Sequence, residues 1–270
     1  MILSLLATLA TIDAVDAAPA DVHDVELRAK YRISFLGFDL ARANLIAKVE
    51  HGLYALRVGY KTTGLVKVFA AATGDVSATG VIDSAHIMPA EFHEVTKENS
   101  REAKVDMTIA QSNVIESQAI PEVSPDPDRV AVRPEDRRGI LDPLSAVLIP
   151  TAKGKEPLGS ACNRTIPVFD GWVRFNIVMT LKETQTLDKG PFKGEAVVCS
   201  VRWVPIAGYI PTRSGTKFMM NNKDLDVTLA PIGDTGYVAP IHIGVQTLHG
   251  HVDVDATDFT VAKPEPSAAN

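Results

Sequence analysis

From Val25 to Phe35 the chain alternates strictly, with Val25, Leu27, Ala29, Tyr31, Ile33 and Phe35 at one parity and Glu26, Arg28, Lys30, Arg32 and Ser34 at the other. Successive side chains of a strand point to opposite faces, so a period of two predicts one buried face and one wet face, the habit of antiparallel sheets. A second extended segment covers 38–49, Glu50, His51 and Gly52 read as a turn, and 53–61 returns. The opening is a β-meander.

Further strands are predicted over 76–83, over 102–109 with Ala103, Val105, Met107 and Ile109 on one face, and over 113–119. In the second half Val173, Phe175, Ile177, Met179 and Leu181 share a face, as do Val197, Cys199, Val201 and Trp203, which turns Cys199 toward the core. Segments 218–230, 241–248 and 252–261 complete the strand set. Pro89 is expected to break a connection, and Pro121, Pro125, Pro127 and Pro134 among acidic residues read as a long exposed loop.

Two patches have helical character. Leu65, Val66 and Phe69 fall at helical spacing within 64–72, and in 141–148 Asp142 is a good N-cap with Pro143 a good first helical residue. No repeat unit is present. The pattern predicts a mainly all-β fold: an antiparallel, strongly curved sheet forming an open barrel or β-spiral with one or two short helices, the 141–148 helix packed against or plugging one side. Residues 21–262 are expected to form one β-rich domain, and 263–270 a disordered tail.

The first twenty residues follow a different rule. Residues 2–12 (ILSLLATLATI) are an unbroken apolar and small run, too short for a bilayer, followed by small residues ending at Ala17, Ala18 and Ala20. Residues 1–20 are read as a secretory signal peptide, which implies a periplasmic location; the other reading is a first buried strand or helix. The basic residues that ordinarily precede such a run are missing, as expected if the true start lies upstream. No later stretch reaches the roughly 18 apolar residues of a membrane span, so the mature chain is expected to lack one.

Charge narrows the partners. The formal net charge of −6 gives no basic field for nucleic acid or anionic lipid. Arg133, Arg137 and Arg138 are interleaved with Glu135 and Asp136, as in a solvated loop. Nucleic acid is not expected as a partner.

Two cysteines, Cys162 and Cys199, are too far apart in sequence for a CxxC motif. An even, small number in an oxidising compartment points to a bridge, and two unrelated buried thiols are the other reading. If the strands holding Val173 and Val197 are antiparallel neighbours, Cys162 falls near the far end of the first. A bridge there would fix register where 165–171 is too rich in turn formers to fix itself.

Signatures of common enzyme classes are absent: no Gly-x-Ser-x-Gly elbow, Ser-x-x-Lys, P-loop, Gly-x-Gly-x-x-Gly or His-Glu-x-x-His. No catalytic, cofactor-binding or metal residue is assigned, and no cofactor is expected. The most suggestive constellation is His249, His251, Asp253 and Asp255, at period two on one predicted strand face. Such ligands suit a divalent transition metal, but a half-exposed strand shows the same pattern. Asn163-Arg164-Thr165 fits a glycosylation acceptor, a pattern frequent by chance. Trp172, Phe175, Trp203, Tyr209 and Phe218 suit either an apolar cavity or ordinary core packing.

The run Ile140-Leu141-Asp142-Pro143-Leu144-Ser145-Ala146, the segment from Cys162 through Asn163-Arg164-Thr165-Ile166-Pro167-Val168-Phe169-Asp170-Gly171 to Arg174-Phe175, and Val198-Cys199 with Val201-Arg202 and Val204-Pro205-Ile206-Ala207-Gly208 resemble the alphaproteobacterial branch of the domain-of-unknown-function family 3108. The resemblance extends loosely from Tyr31 to Val261. It implies an exported envelope protein without an assigned biochemical role, and it supports pairing Cys162 with Cys199. It carries over no catalytic residue. Asp170-Gly171 reads as a turn, and Arg174 and Arg202 as partners of carboxylates on the wet face.

Two function classes follow: a non-enzymatic envelope protein that binds an apolar small molecule or a protein partner, or a metal-dependent hydrolase built on the histidines and aspartates of the C-terminal strand. The sequence does not determine the oligomeric state.

Overall fold

The computed structural model describes residues 24–64, 71–83, 86–151 and 158–264. The 1–20 signal segment, the core of the 64–72 helix and most of the 263–270 tail lie outside the described residues. Seven strands make the N-terminal half: β1 (Val25–Phe35), β2 (Phe38–Glu50), β3 (Leu53–Thr62), β4 (Ala72–Asp83), β5 (His86–Glu98), β6 (Arg101–Ala110) and β7 (Asn113–Ile120). After a long connection come β8 (Ile149–Pro150), β9 (Arg164–Phe169), β10 (Arg174–Leu187), β11 (Gly194–Ala207), helix α1 (Ser214–Asn221), β12 (Leu225–Pro231), β13 (Tyr237–Thr247) and β14 (Gly250–Ala262).

All but β8 lie along one continuous antiparallel path, β7-β6-β5-β4-β3-β2-β1-β14-β13-β12-β11-β10-β9, with β8 paired to β13. The path joins the chain's two halves where β1 meets β14, with Leu27 opposite Val261 and Ile33 opposite Val254. The curved sheet does not close on itself by strand pairing. Segment 139–141 stands between its ends instead: Ile140 N donates to Ser112 O in the β6–β7 turn (2.8 Å), while Leu141 N donates to Pro167 O (2.8 Å) and Leu141 O accepts from Phe169 N (3.0 Å) on β9. No described helix is long and apolar enough to cross a membrane.

The interior holds two apolar clusters. The larger gathers Leu27, Leu45, Leu56, Phe92, Val105 and Phe259 around the inserted Ile140, Leu144 and Leu148. The smaller gathers Val197, Cys199, Val201, Leu229 and Val238 with Ile149 and Cys162. Fully burying each large side chain contributes about 1.5–3 kcal/mol, so the inserted 140–149 segment stabilises both clusters.

The strand alternation of β1 holds except at Glu26 and Ser34, both buried; Arg28 and Lys48 pair with Glu26. Four expectations are corrected. Residues 141–148 do not form an α-helix; they contain a 3-10 turn at Ser145–Val147, though Asp142 does cap it. Pro89 does not break a connection but sits inside β5 opposite Gly80, beside a bulge at which Ala90 of β5 has no partner on β4, the kind of irregularity where a strand tolerates proline. Residues 165–171 are not mainly turn: 164–169 form β9, paired residue by residue with β10. Residues 218–221 belong to α1 rather than to a strand.

Candidate functional site

β10 and β11 pair along nearly their whole length, from Arg174 opposite Ala207 to Leu187 opposite Gly194. β11 and β12 pair only from Val197 opposite Leu229 to Ser200 opposite Asp226. Beyond Ser200 the two strands part, and residues 208–224, including α1, span the opening. The inward side chains of this region face one another across a cavity of about 380 Å³.

Its walls follow from strand parity. Ile166 and Val168 on β9, Phe175 and Ile177 on β10, and Val201 and Trp203 on β11 line one side. Val227 on β12 and Ile243 and Val245 on β13 line the other. Pro143, Val147 and Ile149 supply the inner end, and Met219 of α1 the outer one. All of its lining residues are apolar. Phe175, Ile177, Trp203, Met219, Leu225 and Val245 are only half-buried, so the cavity communicates with solvent on the α1 side.

Of the five aromatics singled out in the sequence, Phe175 and Trp203 line the cavity, with ring centroids 6.1 Å apart. Tyr209 stands edge-on to Trp203 at 6.5 Å behind that wall. Trp172 packs against the other cluster, its Nε1 donating to Pro121 O at 3.1 Å. Phe218 precedes Met219 on α1 and is not a lining residue. Sequence reasoning missed Met219, Pro143 and the β12–β13 wall; the parity of Leu225, Val227 and Leu229 was the available signal.

One buried carboxylate, Asp142, holds the inner end in place. Asp142 is fully buried between the two clusters, and its Oδ1 accepts from Leu144 N (3.0 Å) and Ser145 N (2.8 Å). Burial pushes its pKa up to about 6, against the lowering effect of those hydrogen bonds. The hydroxyls of Ser145 and Tyr54 lie 2.7 Å apart, tying the turn to β3. Asp170 accepts from Trp172 N (2.8 Å) and Val173 N (2.6 Å), forming the expected turn into β10, and burial raises its pKa. The Arg174 guanidinium hydrogen-bonds Phe175 O and Asn176 Oδ1, and its carboxylate neighbour, Asp136, acts on it through charge rather than a direct hydrogen bond.

Cys162 and Cys199 form a disulfide beside this cavity's core cluster. Asn163 adjoins it at positive φ (52°), its Oδ1 accepting from Leu181 N at 3.0 Å, so the side chain of the acceptor-like triplet has a structural use.

The C-terminal histidines are arranged otherwise than expected. His249 lies in the turn between β13 and β14 and does not share the strand face with His251, Asp253 and Asp255. His251 Nε2 lies 3.2 Å from Asp253 Oδ1. His242 of β13 contacts Asp255 Oδ1 at 2.8 Å, and Arg32 contacts Asp255 Oδ2 at 3.1 Å. These are half-exposed side-chain contacts, the His251–Asp253 one within β14 and the His242–Asp255 and Arg32–Asp255 ones across strands. Among the described residues no group of three or more His, Cys, Asp or Glu is placed to hold a metal ion.

A family model described as "Protein of unknown function (DUF3108)" matches residues 30–257. No curated protein matches the chain. A solved structure described as a β-barrel-like protein of domain of unknown function DUF1849 from Brucella abortus is similar to it with a TM-score of 0.48 at 10% identity, over 89% of this chain and 99% of that one.

Proposed function

The chain belongs to the DUF3108 family of proteins of unknown function, and from that premise we propose that it is an exported, non-enzymatic protein of the cell envelope that holds an apolar ligand. One observation carries the reading: a cavity of about 380 Å³, lined by apolar side chains alone and open beside α1. Close-packed interiors leave few voids larger than a water molecule, so an open apolar space of this size is suited to a ligand. Transfer of hydrocarbon from water into such a space is favourable by about 0.8 kcal/mol per CH₂.

Export is supported by the apolar run of residues 2–12 with its small-residue end, and by the use of both cysteines in one bridge, which an oxidising compartment maintains. The test is direct. Purified protein is titrated with an environment-sensitive apolar dye and examined by native mass spectrometry for co-purifying small molecules. Saturable one-to-one dye binding, displaced by hydrocarbon-chain competitors, is the expected result. No saturable binding by the folded protein overturns the reading.

A further inference from the structure

Where segment 139–141 stands between the β6–β7 turn and β9, the unclosed sheet leaves a second cavity of about 350 Å³. Most of its lining is apolar, Ile87, Ile140, Leu148 and Ile149 included. Ala146, Ile149 and Ile166 line both cavities and so form the wall between this one and the first, which residues 208–224 cover as a lid. His86, Gly139 and Thr165 also line the second cavity and are exposed, so it opens to solvent.

Unlike the first cavity, this one has a charged side chain in its wall. Arg164 is half-buried there, and its Nη2 donates to Pro150 O (2.6 Å) and Ser160 O (2.7 Å), which fixes the guanidinium. Nε is buried, and neither Nε nor Nη1 hydrogen-bonds a described residue. Arg164 forms no ion pair with a described residue, and no carboxylate lines the cavity. Asp83, opposite His86 in the β4–β5 pair, is not a lining residue. Burial lowers the Arg164 pKa with no carboxylate opposing it, whereas at Arg174 the charge of Asp136 opposes the same effect. The two carbonyl acceptors do not account for this charge, because a neutral donor would satisfy them equally. A cation withdrawn from water without a counter-ion is ordinarily destabilising. A guanidinium held rigidly in the wall of a mainly apolar cavity is suited to an anion that carries an apolar group.

We propose that this second cavity is a binding site for an organic anion, with the acidic group on the Arg164 guanidinium and the apolar part against Ile87, Leu148 and Ile149. The site is separate from the one in the apolar-ligand reading and does not depend on it. Carboxylate and phosphate groups share the required chemistry and differ in charge and shape.

The experiment titrates octanoate, octyl phosphate and octanol calorimetrically into wild type and into Val227→Phe, in which the new ring fills the first cavity but does not reach the second, since Val227 lines only the first. In both proteins at least one anion should bind one to one, about tenfold or more tighter than octanol, the scale of one charge-assisted hydrogen bond. The tighter anion identifies the acidic group. Adding Arg164→Gln to Val227→Phe keeps an amide donor for the two carbonyls and removes the charge, so the preference for anions should vanish while octanol affinity is retained. Adding Arg164→Lys instead keeps the charge and should preserve part of the preference, which a purely structural role for Arg164 would not produce. Equal affinity for octanol and both anions in Val227→Phe, or no binding of any of the three, overturns the proposal without recourse to a variant at Arg164. An anion preference that survives Arg164→Gln overturns it, as does anion binding to wild type that Val227→Phe abolishes, because the anion then occupies the first cavity. None of these outcomes alters the dye titration that tests the apolar-ligand reading.

Discussion

Cys162 is bonded to Cys199 although one precedes β9 and the other lies in β11, with β10 between those strands in the sheet. Their Cα atoms are 5.6 Å apart, and Leu181 of β10, directly opposite Cys199, donates its backbone N–H to Asn163. The bridge therefore pins the chain entering β9 over the middle of the β10–β11 pair, beside one wall of the cavity. With 37 residues of sequence separation, loop-closure entropy sets its contribution at about 4 kcal/mol. Reduction, or Cys199→Ala with Cys162→Ala, should lower the melting temperature by about 8–16 °C, and thiol titration of denatured, unreduced protein should find no free thiol. Two free thiols per chain would show the bridge absent in solution.

Asp142 makes stability depend on pH in the direction opposite to an ion-paired carboxylate. Burial raises its folded-state pKa from 3.8 to about 6, so between about pH 4 and pH 6 the native state holds a proton that the unfolded chain has released. Its contribution is greatest below pH 4 and falls as pH rises through that window, by up to about 3 kcal/mol. Asp142→Asn keeps an oxygen acceptor for Leu144 N and Ser145 N and cannot ionise. Denaturant melts at pH 4.5 and 7 should show that this variant loses less stability across the interval than wild type. An identical loss in both would show that Asp142 does not titrate there.

Filling the cavity separates binding from folding. Val227→Phe places an aromatic ring in the space between Ile166, Trp203 and Ile243. Because the volume is already open, the overpacking cost of about 1–3 kcal/mol usual in a filled core should be small. Dye binding should fall by about tenfold or more with the melting temperature nearly unchanged. Full dye affinity in the folded variant would place the dye elsewhere.

Gly208 holds the start of the lid segment at a position no other residue fits. Its φ is +84°, and an added Cβ would lie 2.0 Å from Trp172 O. Its N–H also donates to Val130 O at 2.7 Å, joining the lid's root to the long connection. Gly208→Ala combines left-handed backbone strain with a clash against rigid backbone and should cost at least about 2 kcal/mol in a denaturant melt. A cost below 0.5 kcal/mol would mean that the backbone at Trp172 yields.

Much of the sheet was legible because its signal is local. The parity of Val25, Leu27, Ala29 and Tyr31 and that of Val197, Cys199 and Val201 marked strand and inward face, and these residues are buried as expected. Asp142 was readable as a cap because the short-range geometry of Asp-Pro suits one. That it caps a short 3-10 turn was not readable, since only Ile140 and Leu144 packing inside the curved sheet decide how far the turn continues. Likewise Phe218 and Met219 have no parity conflict with a strand, and it is the span from β11 to β12 that makes their segment a helix.

By itself, then, the amino-acid sequence determined strand faces, the inward direction of Cys199, the capping character of Asp142 and the family, all of which depend on neighbours along the chain. The tertiary structure alone decided that β11 and β12 part after Ser200, that Met219 meets Trp203 and Val227 across a cavity, and that His249 stands apart from Asp253 and Asp255. Those outcomes depend on pairing between residues distant in sequence and on the curvature of the whole sheet, which no local period of apolar positions encodes.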